Sequence, residues 1–186
     1  MDTTMAETGQ STIAIPDSIV GGANIQVTVW DYLHNEAIAD TSITINDNTL
    51  PNFTITYPTS VVSMLEYDAL TIQWSGTDNI EVSELTHLFT LEYSSDGNTW
   101  QTVGDGLDTE FNIPAGITSE AQVRLTGQDT NGNEGIGYSG IFTVTDNTPP
   151  TITVDDMETV SAGDSTAISW SANDNSGSIA SYVLSY

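Results

Sequence analysis

Oxygen-bearing side chains gather at a few places in this sequence: Asp47, the pair Asp78-Asn79, and the run Asp129-Thr130-Asn131-Gly132-Asn133-Glu134. A hard cation such as Ca2+ takes roughly six to eight oxygen ligands from carboxylates, side-chain amides and main-chain carbonyls. Asp47, Asp78, Asn79, Asp129, Asn133 and Glu134 supply the side-chain types, and the turn Asn131-Gly132-Asn133 adds carbonyls. The same types recur at Asp146, Asp174 and Asn175, and again at Asp31, Asn35 and Glu36. Calcium is therefore the cofactor these groups fit. The competing role is plainer, because Asp and Asn tolerate left-handed backbone and close Asx-turns. The segment Asp129–Glu134 is no EF-hand, since it lacks the long loop ending in a bidentate Glu.

Other chemistry has little to work with. The chain has no cysteine, two histidines (His34 and His87), and Arg124 as its single basic side chain against 26 Asp plus Glu. No serine sits in a Gly-x-Ser-x-Gly elbow, and no Cys or Lys offers a nucleophile. Carboxylate pairs of the glycosidase kind arise by chance among so many acids. His34 in a loop and His87 beside a strand read as solvated or locally bonded imidazoles. Catalysis is not expected.

The formal net charge of −25 excludes nucleic acid as a partner, because phosphate binding works through Lys and Arg. Anionic membrane surfaces are disfavoured for the same reason. Like charges at this density oppose a compact state unless cations bind or screen them, so the sequence asks for calcium, high salt or both. Apolar runs are only a few residues long, and no membrane insertion is expected in this segment. Met1-Asp2-Thr3-Thr4-Met5 lacks the basic and apolar regions of a leader, and the chain reads as mature protein or an internal fragment. Asn52-Phe53-Thr54 is the one strict glycosylation sequon, a triplet common by chance.

Positioning the acidic groups falls to strands arranged in an internal repeat. Asp47-Asn48-Thr49-Leu50-Pro51 returns 99 residues later as Asp146-Asn147-Thr148-Pro149-Pro150. Ile72–Asn79 returns 96 residues later as Ile168–Asn175, and Leu91-Glu92-Tyr93 returns 93 residues later as Leu184-Ser185-Tyr186. The first residues match a different part: Ile13–Pro16 and Asp31–Glu36 align with Phe111–Pro114 and Asp129–Glu134 at an offset of 98. This divides the chain into the back half of a repeat (1–46), a complete repeat (47–145) and the front half of a further one (146–186). The composition, rich in Thr, Ser, Ile, Val, Asn, Asp and Gly, suits short strands and turns. Alternation predicts strands at about Phe53–Tyr57, Ala69–Ser75, Leu88–Ser94, Trp100–Val103, Glu110–Ile113, Ala121–Asp129 and Gly140–Thr145, which is the number a β-sandwich needs. Trp74 and Tyr93 fall on these strands as packing residues, while Trp30 and Trp100 read as half-exposed. In such a sandwich the chain entrance and two loops meet at one pole, which would bring Asp47, Asp78, Asn79, Asp129, Asn133 and Glu134 together.

Four motifs together resemble tandem immunoglobulin-like or fibronectin-III-like repeats of bacterial and archaeal surface proteins. They are Trp74-Ser75-Gly76-Thr77-Asp78-Asn79, the run from Tyr93 to Trp100, Asp129–Glu134, and Asp146–Val154. The resemblance covers essentially the whole chain, and departs at Leu33-His34 and at Leu50. It implies an all-β fold of tandem sandwiches and an extracellular or cell-surface location, because such repeats occur in giant adhesins, surface layers, filaments and as spacers in secreted enzymes.

The expected function is a structural repeat, a spacer or filament-forming segment stiffened by calcium at its domain joints. Its partners would be neighbouring repeats or identical subunits joined head to tail. Joined, the two terminal halves make nearly one repeat, lacking only the hairpin equivalent to Ser94–Asn98. The chain is then either a window of a longer array or a subunit whose ends complete each other, and both readings stand. An adhesive module for a glycan or surface protein, or an accessory segment of a secreted hydrolase, are the alternatives.

Overall fold

A computed structural model describes residues 8–79, 89–105 and 109–185. Among these, every regular element is a strand, so the chain is all-β. It opens with a long hairpin, β1 (Gly21–Trp30) and β2 (Glu36–Ile45), whose ladder runs without a break from Gly21↔Ile45 to Trp30↔Glu36.

A sandwich follows. Its strands are β3 (Asn52–Tyr57), β4 (Ser63–Leu65), β5 (Ala69–Thr71), β6 (Gln73–Thr77), β7 (Thr90–Ser94), β8 (Gln101–Gly104), β9 (Glu110–Asn112), β10 (Thr118–Gln128), β11 (Glu134–Tyr138) and β12 (Phe142–Thr145). One layer has the order β4-β12-β10-β7-β8, with β11 continuing beyond β12 along the far end of β10. The other layer pairs β3 with β6 and β5 with β9. The chain ends in β13 (Thr151–Val154) and β14 (Trp170–Asn173), an antiparallel pair.

Alternation placed most strands correctly and erred in three ways. The single strand expected over Ala69–Ser75 is two, broken at Ile72, whose N–H turns to the Thr109 carbonyl at 2.6 Å. Its first part pairs with β9 and its second with β3. Two strands were not expected. β11 reads Glu-Gly-Ile-Gly-Tyr, where glycines stand at the inward positions and erase the apolar alternation. They are there for room: a Cβ on Gly135 would overlap the Pro51 carbonyl, and one on Gly137 would crowd the Phe53 carbonyl. β4 is three residues held parallel to β12, too short to show a period. The strand expected from Gly140 starts at Phe142, because the Gly140 N–H points to the Pro58 carbonyl. Leu88 and His87 lie outside the described residues.

The core fills the space between the layers. Successive side chains of a strand point to opposite faces, and the inward set is apolar: Phe53 and Ile55 on β3, Leu91 and Tyr93 on β7, Ala121, Val123 and Leu125 on β10, Phe142 and Val144 on β12. Each fully buried aliphatic side chain contributes roughly 1.5–3 kcal/mol. Trp74 closes one end against Phe53 and Phe89 at ring separations of 5.9 and 5.2 Å, so Trp74 and Tyr93 are the packing residues expected. Trp100 is half-buried, under the Arg124 guanidinium at 4.4 Å, and Arg124 also pairs with Glu92. Trp30 is more exposed than half.

The outer segments copy the registers of the sandwich. Arg124↔Tyr138 and Gln128↔Glu134 in β10–β11 correspond, at the offset of 98, to Gln26↔Asp40 and Trp30↔Glu36 in β1–β2. Asn52↔Thr77 and Ile55↔Trp74 in β3–β6 correspond to Thr151↔Asn173 and Val154↔Trp170 in β13–β14.

Candidate metal centre

The start of β3, the end of β6 and the turn between β10 and β11 share one pole of the sandwich, as the pairings Asn52↔Thr77 and Gln128↔Glu134 require. Asp47 precedes β3, Asp78 follows β6 and Asp129 follows β10, so three separate segments deliver a carboxylate to one place. One oxygen from each of Asp47, Asp78 and Asp129 lies within 4.8 Å of the others. Oxygens about 2.4 Å from a common calcium ion are at most about 4.8 Å apart, so the spacing fits a shared coordination shell. Asp47 is 8% exposed, Asp129 is buried and Asp78 half-buried.

The turn-making role expected of these residues is visible in their hydrogen bonds. Asp129 builds its own turn: Oδ1 accepts from the N–H groups of Asn131 and Asn133, each at 2.8 Å, and Oδ2 from Asn133 Nδ2 at 2.6 Å. Asn133 Nδ2 also reaches the Asp47 carbonyl at 3.3 Å. Asp47 Oδ1 accepts from Thr49 N at 3.0 Å and Asn79 Nδ2 at 2.9 Å, and Asp78 Oδ1 from Asn79 N at 2.9 Å. The second oxygens of Asp47 and Asp78, and the Asn79 amide oxygen, are buried with no hydrogen-bond partner. Turn-making thus consumes part of the oxygen set and leaves three buried acceptors without a protein donor, an arrangement that costs free energy unless a hydrogen-bond donor or a cation meets them.

The electrostatics agree. Burial pushes the Asp78 carboxyl above the usual carboxylate range, and repulsion from Asp47, Asp129 and Asp17 adds to it. Asp47 is held below that range, first by the Thr49 N–H, with burial opposing. The one basic side chain, Arg124, is engaged by Glu92. The chain therefore offers the cluster no basic side chain of its own.

The remaining expected ligands divide. Asn79 and Asn133 belong to the cluster as bracing groups. Glu134 falls outside the three-carboxylate group; it is exposed, and its carboxylate accepts from Gln128 Nε2 at 3.4 Å. Asp31 and Asn35 repeat the Asp129 turn bond for bond: Asp31 Oδ1 accepts from Leu33 N at 2.8 Å and Asn35 N at 2.9 Å, and Oδ2 from Asn35 Nδ2 at 2.7 Å. The Asn35 amide and the turn N–H groups hold the Asp31 carboxyl low. His34 takes φ 63° where Gly132 takes 86°. Asp31 and Glu36 are exposed at the hairpin tip and join no such carboxylate group among the described residues. Asp146 accepts from Thr148 N at 2.8 Å as Asp47 does from Thr49, and Asp174 accepts from Ser176. These two line one cleft without a third acid among the described residues. Asn175 points elsewhere.

Two junction residues carry no signal in the sequence. At the first junction Asp17 accepts Thr49 Oγ1 on its carboxylate at 2.9 Å and Asn79 Nδ2 on its carbonyl at 2.8 Å. A cleft of about 170 Å3 between Pro16, Asp17, Asp47 and Asn79 lies beside the acidic cluster. At the opposite pole, fully buried Glu66 accepts from Asn175 Nδ2 at 2.6 Å, Thr148 Oγ1 at 3.3 Å and Gly116 N at 3.2 Å. Its carbonyl accepts from Asn147 Nδ2 at 3.2 Å. The donors are the same repeat positions in both junctions, Thr49 with Thr148 and Asn79 with Asn175. The acceptors are not, since Asp17 aligns with Ala115 and Glu66 with Ala162. The repeated Thr and Asn were a legible hint; their acceptors were not.

No protein-family model matches the chain, and no curated protein does. Among solved structures it is similar to fibronectin(III)-like modules of CbhA from Clostridium thermocellum, at 15% identity and a TM-score of 0.36, over 66% of this chain and 63% of that one. It is also similar to a structure concerned with host cell surface retention of a 1.5-MDa bacterial ice-binding adhesin, at 19% identity and a TM-score of 0.34, over 72% of this chain and 45% of that one. The chain spans less than two thirds of either, and at these scores neither bears on function.

Proposed function

We propose that this chain is a structural segment of an extracellular prokaryotic surface protein, a spacer or filament repeat without catalytic role, whose junctions are stiffened by a divalent cation. Calcium is the cation by donor chemistry. In this reading residues 47–145 are one complete repeat, flanked by the back half (1–46) and front half (146–186) of others.

One observation carries the proposal: carboxylates from three separate segments converge within 4.8 Å, with buried, unpartnered oxygens on two of them. An ion bound there would tie the chain entering the sandwich to two of its loops. Because Asn79 also bonds Asp17, it would fix the preceding segment as well. Ligand binding stabilises the folded state by about 2.7 kcal/mol at a hundredfold excess over Kd, which for a domain this size corresponds to a melting shift on the order of 10 °C or more.

The test compares melting in calcium with melting in chelator at matched ionic strength. The expected result is that calcium raises the midpoint of the wild type and not that of Asp78→Asn. Equal midpoints, or full recovery by sodium chloride alone, would replace the ion site with general charge screening.

A further inference from the structure

We infer that Asn131-Gly132 is a self-modification site at the cation junction: Asn131 sheds its side-chain amide when the cluster is empty, and a bound cation holds it intact. The inference rests on the function proposed above and adds a covalent change that the ion controls.

Asparagine followed by glycine is the pair in which this reaction meets least resistance, because glycine has no Cβ to shield its nitrogen. The chain contains one Asn-Gly, in the turn that carries Asp129. Asn131 is exposed there, and the space around the Gly132 Cα is open. The Gly132 main-chain nitrogen attacks Asn131 Cγ and closes a five-membered imide. The new C–N bond forms as the Cγ–Nδ2 bond breaks, and the side-chain nitrogen leaves as ammonia with the proton from the Gly132 nitrogen. Water then opens the imide at either carbonyl and returns aspartate or isoaspartate. The balance is one water in and one ammonia out.

The turn itself does not demand this pair. Leu33-His34 stand at the equivalent place in the β1–β2 hairpin, and the bonds are the same: Asp31 Oδ1 accepts from Leu33 N at 2.8 Å, and Asp129 Oδ1 from Asn131 N at 2.8 Å. What differs is the setting. Asp129 belongs to the three-carboxylate group, and the Asn131 amide lies close enough to Asp47 to help hold that carboxyl low. The reactive side chain therefore borders the candidate cation site.

The turn bonds decide whether the ring closes. The Gly132 N–H donates to the Asp129 carbonyl at 3.2 Å, and that bond must open before the nitrogen can turn onto Cγ. An ion shared by Asp47, Asp78 and Asp129 would pin Asp129 and keep the turn closed. With the cluster empty, repulsion among the same carboxylates works to loosen it. The two products act in opposite directions. Aspartate adds a carboxylate beside Asp47, a further ligand for calcium and a further repulsion without it. Isoaspartate puts an extra atom into the main chain, so the N–H groups of residues 131 and 133 cannot both stay on Asp129 Oδ1.

The experiment incubates the full chain at mildly alkaline pH in calcium and in chelator at matched ionic strength. Trypsin, whose one site follows Arg124, then releases residues 125–186 for mass spectrometry. The expected result is aspartate and isoaspartate accumulating at position 131 severalfold faster in chelator than in calcium, and at the fast rate in both for Asp78→Asn. An Asn131 that stays intact in chelator overturns the inference, and so does equal protection by calcium in Asp78→Asn. Calcium that raises the wild-type melting midpoint yet leaves the loss at Asn131 unslowed overturns this inference alone. Calcium that does neither overturns the function proposed above with it. Asn131→Asp, which supplies one product directly, should melt lower than wild type in chelator and gain more from calcium. An equal gain would put residue 131 out of the ion's reach and overturn the effect assigned to the aspartate product.

Discussion

Residues 47–145 and the two outer segments use nearly the same strand patterns and the same registers, and they differ in what covers them. Phe53, Ile55 and Trp74 are packed by β10, β7 and their neighbours, whereas Ile152, Val154 and Trp170 occupy the same places on an open two-strand sheet. Local sequence sets pairing and register through the alternation of side chains. Stability comes only when the second layer removes the apolar face from water.

The sharpest way to break this contrast is to truncate equivalent side chains. Phe53→Ala should cost about 3–5 kcal/mol, and Ile152→Ala in the monomer less than about 0.5 kcal/mol, both read by urea unfolding. Similar losses would show that the last segment is already covered. Adding a methyl group should also distinguish the regions. Gly135→Ala drives a Cβ into the Pro51 carbonyl and should destabilise the sandwich by about 1–3 kcal/mol, while Ala37→Gly should leave its melting unchanged.

The two junctions offer a smaller contrast. Glu66→Ala removes the buried acceptor shared by Gly116, Thr148 and Asn175 and should cost about 1–3 kcal/mol, seen as faster amide exchange around Thr148. Asp17→Ala removes one side-chain bond at an exposed residue and keeps the carbonyl that Asn79 uses, so it should cost less. The smallest expected effect is at Asp96, whose carboxylate caps the turn after β7 by accepting from the N–H groups of Asn98 and Thr99 at 2.8 and 2.7 Å. Those bonds hold its carboxyl far below the usual range. A depressed acid contributes stability above its unfolded value that is lost as pH falls toward the folded one. Asp96→Ala should therefore lower the melting point by a few degrees near neutrality, with the difference from wild type shrinking in strong acid.

Much of this architecture was legible from residues. The alternation at Phe53–Tyr57 and around Val123 announced strands, and the recurrence of Trp74-Ser75 as Trp170-Ser171 announced equivalent ones. Positions where backbone proximity decides were illegible: Gly135 and Gly137 hid a strand because the requirement there is the absence of a side chain. At the candidate metal centre, Asp47, Asp78 and Asp129 were found from residue type plus topology. Glu134 is not among the three clustered carboxylates, because it follows the turn by one residue and starts β11, where its side chain meets Gln128. Glu66 was missed because its donors come from positions 50 to 109 residues away, and no local pattern marks such a contact.

The most direct test of the proposed cation-held junction is the ionisation of Asp78, followed by its carboxyl carbon shift against pH in chelator and in calcium. In chelator the carboxyl should titrate above the ordinary carboxylate range, so the folded state loses stability as pH rises through that interval. Calcium should reverse the sign, drawing the titration below the ordinary range so that stability is lost as pH falls instead. An Asp78 titration that is the same with and without calcium would contradict a cation bound by Asp47, Asp78 and Asp129.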